Sequence, residues 1–541
     1  MAISLKQSNT LVIDDFPSMR SMLMGFLKTM GVASMDNAGT AKDALALLAS
    51  KKYDIVICDY NLGHGQSGQQ SLEEAKYKNY IGYSTVWVMV TAEKTMDMFM
   101  GAAENKPDDY LLKPISEGML ETRLNKLIEK KMSLEPIERA AAAKDYMRAI
   151  ALCDEQLKTH TINTQDIQRI KSDLLLMTRN FSAAQVFFES ILAVRNMPWA
   201  KTGLGKVHFL TRNYPQAKQI FQEILEENKM YLEAADWLSK TLDAMGDLEQ
   251  ARSVLLSAMT LSPNAVARQK SLADAAYKNG ELDLAQASYE KAIKLEEHSV
   301  HKNSGTYSGL AKVLTAKDDP QEALKVLDRS RQEFKGDPVA ELQTAVIEGM
   351  VYQKLGQPDK AEAALAVAEE LMLRQPGSVS LSTTIDMADA LLKLGQKDKA
   401  CGLLASLVKN NHENAGIISM VEAVFDNAGL SEEGGELIRA SAEEVVNINN
   451  QGVLLANQGK FEESVKLMKQ ALLTLPDSEL MLTNLCGMML GLMSRAGKDE
   501  LMILEVRQYL ERVSKINPAN KKYSTYMNIV NKLANSSPAG R

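Results

Sequence analysis

Short apolar runs alternate with amphipathic segments over the first 130 residues of the chain. Apolar residues recur every three to four positions over 18–30, 40–50 and 116–132, which predicts helices there. Between these segments, four largely apolar runs predict buried strands: Leu11–Ile13, Tyr53–Cys58, Thr85–Val90 and Tyr110–Leu112. Strands that are buried on both faces and separated by helices belong to parallel sheets. This part of the chain therefore predicts a doubly wound α/β domain.

Polar and charged residues stand at the carboxyl ends of the four predicted strands. They are Asp14, Asp15, Asp59, Thr91 and Lys113. The carboxyl ends of parallel strands share one edge of the sheet, so one pocket is expected to contain all five side chains. Three carboxylates so close together repel one another unless a cation lies between them. Carboxylate oxygens are ligands that suit Mg²⁺ (or Mn²⁺), so the pattern predicts a divalent-cation site.

The chemistry expected of this pocket is phosphoryl transfer. Asp59 can attack a phosphorus atom as a carboxylate nucleophile and form an acyl phosphate. The cation and the ammonium of Lys113 offset charge on the equatorial phosphoryl oxygens, and the hydroxyl of Thr91 donates a hydrogen bond to one of them.

Residues 8–130 resemble the CheY-like receiver domain of response regulators in two-component signalling. The resemblance rests on four features, namely Asp14-Asp15-Phe16 with Arg20, Asp59, Thr91-Ala92, and Tyr110-Leu111-Leu112-Lys113-Pro114. It implies a flavodoxin-like fold with five parallel strands, and a sensor histidine kinase or phosphotransfer protein as the phosphoryl donor.

The resemblance also implies a role for each site residue. Asp59 is the expected phosphoacceptor and Lys113 the phosphate-binding lysine, while Thr91 and Tyr110 form the expected switch pair. The implied metal ligands are Asp14, Asp15, Asp59 and the backbone carbonyl of Asn61.

The loop after the phosphoacceptor departs from the receiver pattern. Three glycines within 61–68 stand where the family usually shows a Met/Leu-Pro step and a later Asp/Asn-Gly, so this loop is expected to be mobile. His64 in the loop has two interpretations. It contacts a phosphoryl group or a partner, or it has no functional role. Asn61 and Glu93 are polar at the positions where the family tunes access of water, which predicts a short-lived phosphoryl state.

A second pattern begins beyond residue 134, where small residues recur about every 34 positions. They are Ala149, Ala184, Ala217, Ala251, Ala285, Ala323, Ala361, Ala400, Gly434 and Ser464. From Ala184 onward, a bulky residue follows each of them four positions later, which predicts close packing of paired helices. The unit with Leu204-Gly205, Tyr214, Ala217 and Phe221 resembles the tetratricopeptide (TPR) pattern. HEAT-like or other helical hairpins are the alternative.

These patterns together predict the organisation of the chain. A receiver domain is expected over 1–130 and an all-α TPR solenoid of about ten to eleven hairpins over 134–520. Longer steps between repeats predict a bend or split near 298–340. Residues 521–541 are expected to form a capping helix and tail.

Composition and charge restrict the class of protein further. A net charge of −7 does not favour a nucleic-acid partner, and the longest apolar run, near 83–92, is too short to span a membrane. The N-terminus shows no secretory signal. The four cysteines form no CxxC motif, so they predict buried free thiols in a reducing cytoplasm: Cys58, Cys153, Cys401 and Cys486.

Three hypotheses for function remain open at this point. In the first, phosphorylation of Asp59 gates the binding of an unknown protein or peptide in the TPR groove, as an adaptor or inhibitor without DNA binding. In the second, the array is a constitutive scaffold on which phosphorylation has little effect. In the third, the receiver face forms a homodimer through Met96, Met98, Phe99 and Met100. No enzymatic output is expected beyond self-phosphorylation and self-dephosphorylation of the receiver.

An apolar anchor in the groove is a further open question. Trp199 and Phe209 are interpreted either as a peptide anchor on the repeat around Ala217 or as packed core residues.

Overall fold

A computed structural model describes residues 5–63, 65–92, 107–159, 163–297, 299–374, 379–518 and 520–535. The chain divides into two compact units, one formed by Met1–Val207 with Tyr214–Asn303 and the other by His208–Asn213 with Ser304–Arg541. Several residues of the sequence hypotheses lie outside the described residues, namely His64, Glu93, Met96, Met98, Phe99 and Met100.

The first unit contains a parallel sheet of five strands within its described residues. The strands are β1 (Asn9–Ile13), β2 (Ser34–Ala38), β3 (Ile55–Asp59), β4 (Val86–Thr91) and β5 (Asp109–Leu112). Their order is β2-β1-β3-β4-β5, and every neighbouring pair is parallel. The order reverses direction at β1, as in doubly wound folds. The structure thus confirms the predicted α/β fold class.

Helices cover both faces of this sheet. They are α1 (Pro17–Thr29), α2 (Ala41–Ser50), α3 (Gly68–Tyr77) and α4 (Glu117–Met132). Because side chains alternate along a strand, Val88 joins the apolar cluster with α1 and α4, whereas its neighbours Trp87 and Met89 join the cluster with α2 and α3. Both faces of the central strands are buried, which explains why the runs Leu11–Ile13, Ile55–Cys58 and Val86–Val90 are apolar throughout.

Strand β2 has no counterpart among the apolar runs of the sequence. It reads Ser-Met-Asp-Asn-Ala over Ser34–Ala38, and only Ala38 is buried. The strand forms one edge of the sheet and is aligned by backbone hydrogen bonding to β1. An edge strand with little buried surface leaves no apolar signal, so only the resemblance to receiver domains implied it.

Helices make up the regular structure of the described residues after α4. They are α5 (Glu135–Ala142), α6 (Tyr146–Lys158), α7 (Thr164–Met177), α8 (Phe181–Val194), α9 (Pro198–Leu210), α10 (Tyr214–Glu227), α11 (Leu232–Ala244), α12 (Leu248–Leu261), α13 (Val266–Lys278), α14 (Leu282–Glu296), α15 (Ser304–Ala316), α16 (Pro320–Glu333), α17 (Pro338–Lys354), α18 (Pro358–Arg374), α19 (Leu381–Lys393), α20 (Lys397–Asn411), α21 (Ala415–Asn427), α22 (Ser431–Asn457), α23 (Phe461–Ala471), α24 (Glu479–Ala496), α25 (Glu500–Ile516) and α26 (Tyr523–Asn535). Many consecutive helices pack against each other, as α13 does against α14 and α17 against α18, which is the packing that helical repeats require.

Close packing explains the spacing of small and bulky residues. Ala217 and Phe221 on α10 are fully buried. A Cβ atom at Gly205 on α9 would lie only 2.6 Å from the Phe221 ring, so the facing helix has room for glycine alone. Gly349 on α17 meets Leu365 on α18 in the same way, with a distance of 2.5 Å. The repeat pattern therefore records the points where two helix backbones approach most closely.

One helix replaces two helices of neighbouring repeats. Helix α22 runs without interruption for 27 residues and contains both Gly434 and Gly452. The step from Gly434 to Ser464 is also the shortest in the sequence pattern. A missing turn accounts for both observations, because a fused helix needs no connecting residues between the second helix of one repeat and the first helix of the next.

The four cysteines are free, as predicted. Cys58, Cys153 and Cys486 are buried, but Cys401 is only partly buried, so the expectation of four buried thiols was wrong for this residue. Among the described residues, none of the helices combines the length and the apolar character needed to cross a bilayer.

Candidate functional site

Three carboxylates meet at the carboxyl edge of the sheet. Asp14 and Asp15 directly follow β1, and Asp59 is the last residue of β3. Each of the three offers a carboxylate oxygen, and these oxygens lie within 4.8 Å of one another. Asp14 and Asp59 are only 1% and 6% exposed, whereas Asp15 is half-buried. The structure therefore brings the predicted acidic residues into one cluster.

Lys113 supplies the positive charge of the cluster. It follows β5, and its Nζ lies 2.8 Å from Oδ2 of Asp59 and 3.0 Å from Oδ2 of Asp14. Its backbone N–H donates to the carbonyl oxygen of Thr91, the last residue of β4, at 2.8 Å. The peptide bond between Lys113 and Pro114 is cis. One ammonium group thus bridges two of the three carboxylates.

The pKa values show how burial and charge act on this ion pair. Burial raises the pKa of Asp59 above its ordinary value, and the nearby charge of Asp14 adds to that effect, although Lys113 opposes it. Burial acts to lower the pKa of Lys113, but its contacts with Asp59 and Asp14 outweigh burial and hold that pKa above its ordinary value. The lysine therefore remains a cation beside the buried nucleophile.

The donor set fits a hard divalent cation. Oδ1 of Asp15 is buried and has no hydrogen-bond partner among the described residues, although a buried carboxylate oxygen normally has one. Oδ1 of Asp14 accepts the N–H of Phe16 at 2.9 Å. Three carboxylates paired with a single ammonium leave an excess of negative charge, which Mg²⁺ or Mn²⁺ would offset. Asn61 lies beside the cluster, where its backbone N–H donates to the carboxylate of Asp59.

Arg20 holds the backbone of the acidic turn. Its guanidinium donates to the carbonyl oxygens of Asp14, at 2.6 Å, and Asp15, at 3.3 Å, and also to Oδ1 of Asn37. The sequence shows Arg20 only as part of the receiver pattern, without a role. Its spacing places it near the start of α1, directly beneath the turn that carries both aspartates.

The expected switch residues occupy the same half of the sheet. Thr91 is buried at the end of β4, and Tyr110 on β5 is aligned with Met89, two residues before Thr91. The Tyr110 ring packs against the apolar cluster of α2 and α3. Its hydroxyl is buried without a hydrogen-bond partner among the described residues, and burial raises the pKa of this phenol. Because this hydroxyl has no hydrogen bond to break, a change of the Tyr110 rotamer costs little free energy.

Two glycines shape the loop between Asp59 and α3. Gly63 adopts a φ of +73°, which excludes the proline usual in receivers, and a Cβ atom there would lie 3.2 Å from Oδ2 of Asp15. A Cβ atom at Gly68 would lie 1.9 Å from the carbonyl oxygen of Asp59. The far end of the loop is held by a capping box between Ser67 and Gln70. The glycines thus allow the loop to approach the acidic cluster closely.

Substitution of Gly68 should disturb both stability and the site. We expect Gly68→Ala to lower the free energy of unfolding by about 1–3 kcal/mol, since the added methyl group collides with backbone rather than with a movable side chain. Gly25→Ala on α1 is the matched control, because a Cβ atom there meets no atom within 4 Å. Urea unfolding of the two variants measures the difference, and equal stability would contradict the crowding at Gly68.

Both parts of the chain are similar to known proteins. Residues 10–125 match the response regulator receiver domain family, and residues 270–338 and 386–411 match tetratricopeptide repeat families. Chemotaxis protein CheY-3 of Vibrio cholerae is 28% identical over 129 residues, which cover 24% of this chain and 98% of that protein. The structure of CheY4 from Vibrio cholerae has 22% identity and a TM-score of 0.21, covering 22% of this chain and 98% of that chain.

The repeats have a relative of a different kind. Cellulose synthase operon protein C of Xanthomonas axonopodis pv. citri is 28% identical over 272 residues, or 48% of this chain. The match spans only 17% of the length of that protein.

The chain therefore carries a response regulator receiver domain followed by tetratricopeptide repeats. Both kinds of domain are typically non-enzymatic. Receiver domains bind Mg²⁺ through an acidic pocket, and the cluster of Asp14, Asp15 and Asp59 is such a pocket.

Proposed function

We propose that this protein is a phosphorylation-gated adaptor or inhibitor in a two-component phosphorelay. A sensor histidine kinase or phosphotransfer protein donates a phosphoryl group to Asp59, and the TPR array then binds a protein or peptide partner with altered affinity. The observation that carries the proposal is the contact of the buried Asp59 carboxylate with Lys113, beside two further carboxylates. The four free cysteines suit a reducing cytoplasm, where such a relay operates.

Each residue of the site has its own role in the proposed phosphoryl transfer. An Oδ atom of Asp59 attacks the phosphorus atom, the new O–P bond forms, and the P–N bond of the donor phosphohistidine breaks with its electron pair leaving on nitrogen. Lys113 and Thr91 stabilise the equatorial oxygens by charge and by hydrogen bonding. A Mg²⁺ or Mn²⁺ ion held by Asp14, Asp15, Asp59 and the Asn61 carbonyl would add positive charge beside those oxygens.

The helical array supplies the output of the proposed mechanism. Charged side chains on the first helices of successive repeats pair with one another, as Lys206 does with Glu233 at 2.6 Å and Arg268 with Asp236 at 2.7 Å. Trp199 packs edge-on against Phe188, with ring centroids 6.3 Å apart, which supports the core interpretation over the anchor interpretation. A protein or peptide partner remains the proposed ligand, and the net charge of −7 supports the proposal that nucleic acid is not bound.

A small-molecule phosphodonor tests the proposed chemistry. We expect acetyl phosphate with Mg²⁺ to add one phosphoryl group to the wild-type protein and none to Asp59→Asn, which lacks the nucleophilic oxygen. Intact-mass spectrometry measures the gain, and a base-labile adduct identifies an acyl phosphate. Asp54→Asn is the matched control, because Asp54 precedes β3 at the other edge of the sheet and accepts the N–H of Asn9. Equal labelling of Asp59→Asn and wild type would reject the proposal.

Partner capture distinguishes gated binding from a constitutive scaffold. The same affinity capture is run with wild type, with wild type loaded with beryllofluoride and Mg²⁺, and with Asp59→Asn. Different partner recovery between the loaded protein and the other two samples supports gating, whereas equal recovery supports the scaffold. The mass of the loaded protein in solution tests the homodimer hypothesis in the same experiment.

A further inference from the structure

Helix α3 begins directly against the phosphoacceptor. The backbone N–H of Gly68 donates to the carbonyl oxygen of Tyr60 at 3.0 Å, and no space exists for a Cβ atom between Gly68 and the Asp59 backbone. The side chain of Gln66 donates to Glu74, one and a half turns into the helix, at 2.7 Å. A displacement of the loop after Asp59 therefore displaces α3 as well.

The other end of α3 contacts a helical repeat far along the chain. Nε2 of His301 lies 3.0 Å from Oε1 of Glu73, and the His301 ring meets the ring of Tyr77 edge-on, with centroids 5.5 Å apart. His301 lies between α14 and α15. Its side chain and that of Glu73 are 43% and 32% exposed, so solvent competes with the contact. This makes the contact easy to break by a small movement.

The receiver has a second and firmer attachment to the array. Tyr83, in the loop before β4, packs into the apolar cluster of α5 to α7. The backbone N–H of the next residue, Ser84, donates to Oε2 of Glu138 on α5 at 2.7 Å. Tyr83 and Ser84 precede β4, so this attachment lies at the amino edge of the sheet, opposite the acidic cluster.

We propose that α3 transmits the state of Asp59 to the array through His301. Phosphorylation of Asp59 displaces the loop and α3, and the contact of Glu73 and Tyr77 with His301 loosens, while the attachment at Tyr83 holds. The connection between α14 and α15 is then released from the receiver. This inference rests on the proposed function, and it places the regulated surface of the array at residues 299–303.

Tyr110 belongs to the same route. Its ring and the α3 residues Leu72 and Ala75 contact one apolar cluster. A rotamer change of Tyr110 on phosphorylation therefore alters the packing beneath α3, in addition to the displacement of the loop.

Hydrogen exchange of the full-length protein tests the inference. With beryllofluoride and Mg²⁺, we expect slower exchange in residues 59–70 and at least threefold faster exchange in residues 299–304, with no change in either segment of Asp59→Asn. Slower exchange at 59–70 with unchanged exchange at 299–304 would overturn the inference and leave the proposed function standing. No change in either segment of wild type would overturn both.

Binding of the phosphoryl mimic and loss of the His301 contact must favour each other reciprocally, so an affinity measurement tests the inference independently of hydrogen exchange. If phosphorylation weakens the contact, then a variant without the contact must bind the phosphoryl mimic more tightly. We expect His301→Ala, and independently Tyr77→Ala, to bind beryllofluoride with at least threefold higher affinity than wild type. Lys291→Ala, an exposed residue on the preceding α14, is the control and should match wild type. Unchanged affinity in both contact variants contradicts the inference.

Discussion

Lys113→Ala should slow phosphorylation of Asp59 by about 10²–10³-fold, the effect of removing one preorganised donor from a developing charge. The Nζ of Lys113 lies 2.8 Å from the Asp59 carboxylate. A second ion pair, with Asp14 at 3.0 Å, holds the ammonium group in this position. A hydroxyl or a water molecule cannot supply the same charge beside the transferred oxygens. The initial rate of phosphoryl incorporation from acetyl phosphate, followed by intact mass, measures the loss.

The same variant should bind Mg²⁺ more tightly than wild type. Removal of the ammonium leaves Asp14 and Asp59 without their cationic partner, so the negative charge available to a divalent ion increases. Slower phosphorylation together with tighter Mg²⁺ binding separates a loss of catalysis from a general collapse of the site. Lys51→Ala, which removes a lysine paired with Asp36 outside the site, is the control. Equal phosphorylation rates in Lys113→Ala and wild type would contradict the assigned role.

Phe221→Ala should have the largest effect on stability. The side chain is fully buried between α9 and α10, and its ring stacks on Trp237 with centroids 6.4 Å apart. Truncation removes that contact area and leaves a cavity, which costs about 3–5 kcal/mol of the free energy of unfolding. Urea unfolding followed by tryptophan fluorescence measures the loss, because Trp237 reports on the same packed surface.

An exposed residue on the neighbouring repeat provides the control for this measurement. Val194→Ala on α8 should change the free energy of unfolding by less than about 0.5 kcal/mol, because the Val194 side chain is 89% exposed. A similar decrease in the free energy of unfolding for Phe221→Ala and Val194→Ala would show that the packing between α9 and α10 does not depend on Phe221. Phe221→Leu, which keeps most of the apolar volume, should recover part of the stability.

The acidic pocket could be predicted because its residues mark the ends of apolar strands. Asp14, Asp59 and Thr91 follow runs that are apolar on both faces, so the sequence alone indicated both the parallel sheet and the edge at which the side chains meet. The role of Arg20 was not visible in the same way. Its ligands are backbone carbonyl oxygens, which every residue carries, so no sequence pattern identifies them.

The repeat pattern predicted the packing of neighbouring helices as well as the strand ends predicted the acidic pocket. It was less informative about where each helix begins and ends. Ala217 and Phe221 stand at the predicted contact, since a helix pair can approach closely only where one side chain is small. The fusion of two helices into α22 left a trace only as a shorter step before Ser464. Strand β2 left none, because an edge strand is aligned by backbone hydrogen bonds and buries little apolar surface.

The amino-acid sequence was enough to predict the fold class, the acidic cluster at the carboxyl edge and the helical repeats, because each depends on periodic burial or on residue type at a strand end. The contacts between distant surfaces could be identified only in the folded protein. The contact of Glu73 and Tyr77 with His301 joins residues more than 200 positions apart through exposed side chains. Exposed side chains carry no periodicity, so such a contact becomes visible only when the chain is folded.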